Sequence, residues 1–129
     1  MTTAAPSLFD RFEADEVQGG TFTHRDHVEV AYEMLKRYDF AEAVARTSKG
    51  LRSIARRAGA PGKFHVTITV AFMSIVAERM SGQAPGSFES FLEVNGDLLR
   101  RDLLDQIYPR ERLSSDTARM TFILPTPAL

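Results

Sequence analysis

Helix-start signals recur along this sequence, and each one precedes apolar residues at helical spacing. Thr23 followed three residues later by Asp26 matches a capping box and predicts a helix that runs to about residue 37 or 38. Asp39 with Glu42 repeats the acidic signal for the next helix, which ends before the glycine and proline at 59 and 61. Shorter helices are predicted over 6–15, after Ser87, from the capping residue Asp97 to near Pro109, and from Ser114 or Ser115 to Arg119. This pattern is typical of an all-α protein.

The segment from Phe64 to Met80 fits two periodicities. Its first residues alternate between apolar and polar side chains, which is typical of a strand, with Met120–Leu124 as the partner. A helical period places one stripe along its whole length, and no turn signal interrupts the run, so we predict a long helix. The predicted stripe comprises His65, Ile68, Thr69, Phe72, Met73, Val76 and Met80, with Thr67, Ser74 and Glu78 on the opposite face.

The chain length favours one core, because two cores in 129 residues would each be marginal. The tail Phe122–Pro127 cannot be helical across its prolines, and it is apolar enough that we expect it to lie along the body of the protein. The predicted fold is therefore a compact, single-domain, all-α bundle over residues 1–129. It has five to six helices and an extended, proline-containing C-terminal tail.

Composition excludes several classes of function. Sixteen basic and 17 acidic residues leave a net charge of −1, so we expect no nucleic-acid or anionic-lipid partner. The absence of cysteine excludes disulfides and thiolate metal sites. The first six residues lack the basic and apolar regions of a secretory signal, and no stretch approaches the roughly 20 apolar residues of a membrane span. We expect a soluble, cytoplasmic protein.

The three histidines are the candidate metal ligands. His24 and His27 would occupy the first and fourth positions of their helix, where side chains three apart share a face, and the apolar residues that follow place that face inward. His65 lies in the middle of the predicted stripe of its own helix. Because neutral imidazole is the commonest metal ligand in proteins, we predict that these three residues form one buried metal site.

Three imidazoles with an open fourth position are typical of a catalytic metal centre rather than a structural one. The nitrogen ligands favour a divalent transition metal, namely Zn, Fe, Ni or Cu, over Mg²⁺ or Ca²⁺. Tyr32 and Thr69 are the candidate catalytic residues, through hydrogen bonds to the ligands or the substrate. These residues predict a small metal-dependent enzyme that acts on a small-molecule ligand.

Two alternatives remain open at this point. A single histidine on an apolar face is more often a hydrogen-bonded core residue than a ligand, so the chain could be a non-catalytic helical binding or interaction protein with structural histidines. The same histidines could also act without metal as general acid and base. The apolar tail is compatible with a monomer, in which it clamps its own chain, and with a homodimer.

Two sequence segments also resemble a family of small, largely uncharacterised bacterial proteins. The family has a T-H-x-x-H-V segment followed by a G-K-(F/Y)-H-x-T-I-T segment, which this chain matches at 23–28 and 62–69. The resemblance extends over about 22–124, and Phe72 stands where it implies a tryptophan. It implies that His24, His27, His65 and Thr69 belong to one recurring group, and it implies no particular reaction.

Overall fold

The computed structural model describes residues 5–84 and 86–127, and the helices in these ranges confirm the all-α class. No strand occurs in the described residues, so the strand interpretation of the segment after Phe64 is wrong. None of the described helices is long and apolar enough to cross a membrane. The helices are α1 (Leu8–Glu13), α2 (His24–Arg37), α3 (Phe40–Arg57), α4 (Val66–Ser81), α5 (Phe88–Val94), α6 (Arg110–Leu113) and α7 (Asp116–Met120).

The chain divides into two compact units, Met1–Pro61 and Gly62–Leu129. The first holds α1, α2 and α3, and the second holds α4 to α7. One domain over 1–129 stays a prediction. The first four residues, on which the prediction about a secretory signal partly falls, lie outside the described ranges, as does Pro85 in the loop before α5.

In the first unit, local capping explains where the helices begin. The predicted capping box of α2 is present, with the Thr23 hydroxyl and the Asp26 carboxylate each accepting from the other residue's amide. Asp39 caps α3 by accepting from the amide of Glu42, and Ser7 caps α1, which begins at Leu8 rather than at the predicted residue 6. These side chains satisfy amides that have no partner within their helix.

The long helix of the second unit, α4, begins at Val66, two residues after the predicted start at Phe64. His65 is the N-cap of α4, and it is therefore not in the middle of a buried stripe. The buried face of the helix is also rotated from the prediction, since Thr67 is fully buried and Ile68 is 40% exposed. The prediction had placed Ile68 on the buried face and Thr67 on the opposite face. Local spacing does not reveal the polar partners that allow Thr67 to be buried.

The predicted helix between Asp97 and Pro109 is wrong. Two short 3₁₀ segments, Gly96–Leu99 and Leu103–Gln106, occupy this region instead. The Asp97 carboxylate, which we predicted to cap the helix, forms a two-pronged ion pair with Arg79 of α4 at 2.7 and 2.9 Å. Asn95 is buried beside it and holds the turn by donating to a backbone carbonyl of α5.

The tail after α7 lies along its own unit, as predicted. Ile123 packs beside a buried cluster that includes Leu104 and Tyr108. The Tyr108 hydroxyl donates to the carbonyl of Ile123 at 2.9 Å, and Arg112 donates to the carbonyl of Leu124 at 2.8 Å. Hydrogen bonds to the backbone therefore hold an extended segment that carries no helical bonds of its own.

Candidate functional site

His65 is joined to the protein through both of its ring nitrogens. Nδ1 accepts a hydrogen bond of 3.1 Å from the backbone amide of Ile68, in the first turn of α4. Nε2 lies 2.8 Å from the carbonyl oxygen of Leu113, at the end of α6. The imidazole therefore joins the start of α4 to the end of α6, through a contact between residues 48 positions apart in the sequence.

The partners of His65 determine its protonation. A carbonyl oxygen can only accept, so Nε2 must carry the hydrogen, and an amide can only donate, so Nδ1 must supply the lone pair. The ring is thus a neutral imidazole with its hydrogen on Nε2. A metal ion would need one of these two nitrogens, so His65 could become a ligand only by opening a hydrogen bond to Ile68 or Leu113.

The hydroxyl groups near His65 also have backbone partners. Thr69, a candidate catalytic residue, donates to the carbonyl of His65 at 2.7 Å. Thr67 donates to the carbonyl of Thr121 at 2.7 Å and accepts from the amide of Ile123 at 3.1 Å. The polar side chains at the start of α4 therefore hold its first turn and the C-terminal tail in place.

His24 and His27 lie in the first turn of α2, as predicted. The structure does not turn His27 into the core, because the residue is exposed. Its ring lies against Phe22, with 4.4 Å between ring centroids and 47° between the planes. Phe22 in turn stacks on Phe12 of α1, with ring centroids 5.8 Å apart.

Packing against Phe22 changes the ionisation of His27. Desolvation is the larger cause and the neighbouring His24 the next, and together they lower the pKa of His27 from 6.5 to about 4. Because the residue as a whole is exposed, solvent offsets part of this desolvation. His27 is neutral at pH 7.

Tyr32 of α2, the other candidate catalytic residue, is buried, with 4% of its surface exposed. The ammonium nitrogen of Lys36 lies 5.7 Å from the centroid of its ring, one helical turn later. This spacing suits a cation–π contact, and the burial makes Tyr32 part of the core of its unit.

The predicted metal site has no direct support from the described residues. Among residues 5–84 and 86–127, no group of three or more His, Cys, Asp or Glu side chains is arranged to hold a metal ion. The site that combines His24, His27 and His65 stays a prediction, and so does the metal itself.

A cleft in the first unit was not predicted as a site. It has a volume of about 860 Å³ and lies between the end of α1 and one face of α3. Its floor includes the ring of Phe12, which reaches α3 because position 50 is glycine, where a Cβ would lie only 2.3 Å from the ring. Four cationic side chains of α3 line the cleft: Arg46, Lys49, Arg52 and Arg56.

The acidic side chains of this cleft are all paired. Asp15 bonds to Arg57 and accepts from Ser53 at 2.8 Å, and the Arg57 bond is the main reason that its pKa is lowered. Glu13 accepts from the Tyr38 hydroxyl at 2.9 Å, and Arg46 pairs with Glu13 at 3.5 Å. Glu42 binds the same arginine at 2.7 Å.

The sequence does contain a signal for this cleft. Residues 49, 52 and 56 are cationic and lie on one face of a helix by their spacing of three and four. The net charge of the chain does not indicate this row, because acidic residues of α1 and α3 neutralise the cations beside it.

No protein-family model, curated protein or solved structure matches this chain.

Proposed function

We propose that this chain is a non-catalytic helical binding protein in which His65 is a structural residue. The observation that supports the proposal is the pair of backbone hydrogen bonds made by the two ring nitrogens of His65. A structural histidine uses both nitrogens in this way, whereas a metal ligand keeps one nitrogen for the ion.

The surroundings of His65 support the same function. Thr69, which a catalytic role would leave available to a substrate, has its hydroxyl on the carbonyl of His65. Thr67 is likewise occupied by the tail. The motif at 62–69 then serves to begin α4 and to attach α6 and the C-terminal segment to it. A small-molecule ligand, a cytoplasmic location and a monomeric or homodimeric state belong to this proposal.

Metal analysis separates the proposal from the metal-dependent enzyme predicted from the sequence. The protein is purified without an affinity tag, and its Zn, Fe, Ni and Cu are measured for the wild type, His65→Asn and His65→Ala. We expect no stoichiometric metal in any of the three. Stoichiometric metal in the wild type that is lost in both variants would overturn the proposal.

The same variants test the structural role. Asparagine is among the best N-cap residues, so His65→Asn keeps an acceptor for the amide of Ile68, while alanine keeps none. We expect His65→Ala to lose more stability than His65→Asn, by about 1 kcal/mol for the missing cap. Long-range proton–nitrogen NMR on the wild type should place the hydrogen of His65 on Nε2. A ring protonated on Nδ1 would contradict the arrangement on which the proposal rests.

A further inference from the structure

We propose that the cleft between α1 and α3 binds a small molecule that carries phosphate or carboxylate groups. The proposal rests on the function of a binding protein and names the chemical class of its ligand. The size of the cleft is appropriate, because clefts that bind small molecules are usually about 300–1,000 Å³ in volume. The cleft of about 860 Å³ lies within that range.

The charge of the lining favours an anion. Lys49, Arg52 and Arg56 follow one another along the wall at spacings of three and four residues, which places neighbouring Cβ atoms about 5–6 Å apart. Arginine and lysine at such separations can each donate to a different oxygen of the same ligand. The row therefore suits a ligand with two or more anionic oxygens.

The hydrogen bonds and ion pairs of the cleft carboxylates go to residues outside this row, although Asp15 also interacts electrostatically with Lys49. Asp15 is held by Arg57 and Ser53, while Glu13 and Glu42 are held by Arg46. In the described part of the chain, no hydrogen bond or ion pair engages the ammonium group of Lys49 or the guanidinium of Arg56. These two cations consequently keep donors for a ligand.

Phe12 closes the base of the same cleft. Only 3% of its surface is exposed, because its ring occupies the space that a side chain at position 50 would need. Phe12 therefore offers little surface to a carbon skeleton, and the charged groups of the ligand are what the cleft wall would bind. The aromatic contacts continue from Phe12 through Phe22 to His27.

NMR titration with inorganic pyrophosphate at constant ionic strength tests the site. We expect saturable shifts of backbone amides in residues 12–15 and 42–56. The double variant Lys49→Gln/Arg56→Gln should weaken binding at least about tenfold, because it removes two charge-assisted hydrogen bonds. The matched control is Lys63→Gln/Arg101→Gln, which removes the same charge from exposed positions of the second unit and should change the dissociation constant by less than about twofold.

Three results would overturn the proposal. One is equal weakening in the double variant and its control, which would indicate attraction by overall charge. Another is a set of shifts outside the cleft or none at all. The third is tighter binding of mixed phosphatidylcholine–phosphatidylglycerol vesicles or of single-stranded RNA than of pyrophosphate, with that binding lost in the double variant. This result would indicate that the row binds a macromolecule or a membrane surface.

The titration can still be interpreted if the double variant does not fold. Helix content by circular dichroism identifies that case, and the single variant Arg56→Gln then replaces it, with Arg101→Gln as control. Failure here leaves the metal analysis of His65 unaffected, and metal found at His65 leaves this titration unaffected. The two proposals can therefore fail separately.

Discussion

The hydroxyl of Thr67 donates a hydrogen bond of 2.7 Å to the carbonyl oxygen of Thr121, which lies 54 residues later in the chain. The same oxygen of Thr67 accepts from the amide of Ile123 at 3.1 Å. One fully buried hydroxyl thus satisfies two backbone groups of an extended segment that has no regular secondary structure. The first turn of α4 and the tail therefore depend on each other.

Replacing Thr67 by valine should release the tail. Valine keeps the shape of threonine but leaves the carbonyl of Thr121 and the amide of Ile123 without their partner, so we expect a loss of about 1–3 kcal/mol in the free energy of unfolding. Urea denaturation measures the loss, and hydrogen exchange at Ile123 should become faster. Thr67→Ser keeps the hydroxyl and is the control. Equal exchange at Ile123 in the two variants would show that the hydroxyl does not hold the tail.

Replacing Gly50 by alanine should destabilise the first unit. A Cβ at this position would lie 2.3 Å from Cζ of Phe12, which is closer than carbon atoms approach. Overpacking of this kind costs about 1–3 kcal/mol, against a gain of up to about 1 kcal/mol in helix propensity. Denaturation in urea tests the sum. Gly20→Ala is the control, because no atom lies within 4 Å of its added carbon, and a stabilised Gly50→Ala would contradict the close contact with Phe12.

The ionisation of His27 should make stability depend on pH. Its pKa is lowered from 6.5 to about 4 in the folded chain, mainly by desolvation. The unfolded chain therefore binds the proton more readily, so the contribution of neutral His27 is fully present above pH 6.5 and is lost as the pH falls toward about 4. An NMR titration should find the midpoint of His27 below 6.5, and the variant Phe22→Ala should move it upward. A midpoint at or above 6.5 in the wild type would contradict the contact with Phe22.

Replacing Asn95 should cost more than replacing the neighbouring Asp97. Asn95 is 2% exposed, donates to the carbonyl of Phe91 at 2.9 Å and accepts from Arg79 at 3.0 Å. Asn95→Ala removes both hydrogen bonds of a buried side chain, for a loss of about 1–3 kcal/mol. Asp97→Ala removes a surface ion pair worth less than about 1 kcal/mol. Thermal or urea unfolding of both variants compares them, and the reverse order would place the stability of this turn in the ion pair.

Much of the first unit could be predicted from local sequence. The side chains of Thr23 and Asp26 accept hydrogen bonds from each other's amides within one helical turn, and Asp39 caps α3 through an equally local hydrogen bond. The cleft beside α3 could not be predicted with equal ease. Its cationic row is visible in the spacing, but the pairing of Asp15 with Arg57 joins residues 42 positions apart.

The candidate site around His65 illustrates a different limit. Helical spacing placed His65 on a buried face, whereas the helix begins one residue after it, so its imidazole caps the helix. Spacing also placed Ile68 inward and Thr67 outward, whereas Thr67 is buried with backbone partners in the tail and Ile68 is exposed. The signal for His65 as a cap was weak, since histidine is an unusual cap and its second partner, Leu113, is 48 residues away.

The amino-acid sequence alone determined the helical class, most helix starts and the absence of cysteine chemistry, because each depends on neighbours within a turn or on composition. Only the tertiary structure decided that His65 bonds to Leu113, that Thr67 holds Ile123, and that Asp97 pairs with Arg79 rather than capping a helix. These partners are distant in the chain, and a buried polar group is satisfied by whichever donor or acceptor the packed chain brings within reach.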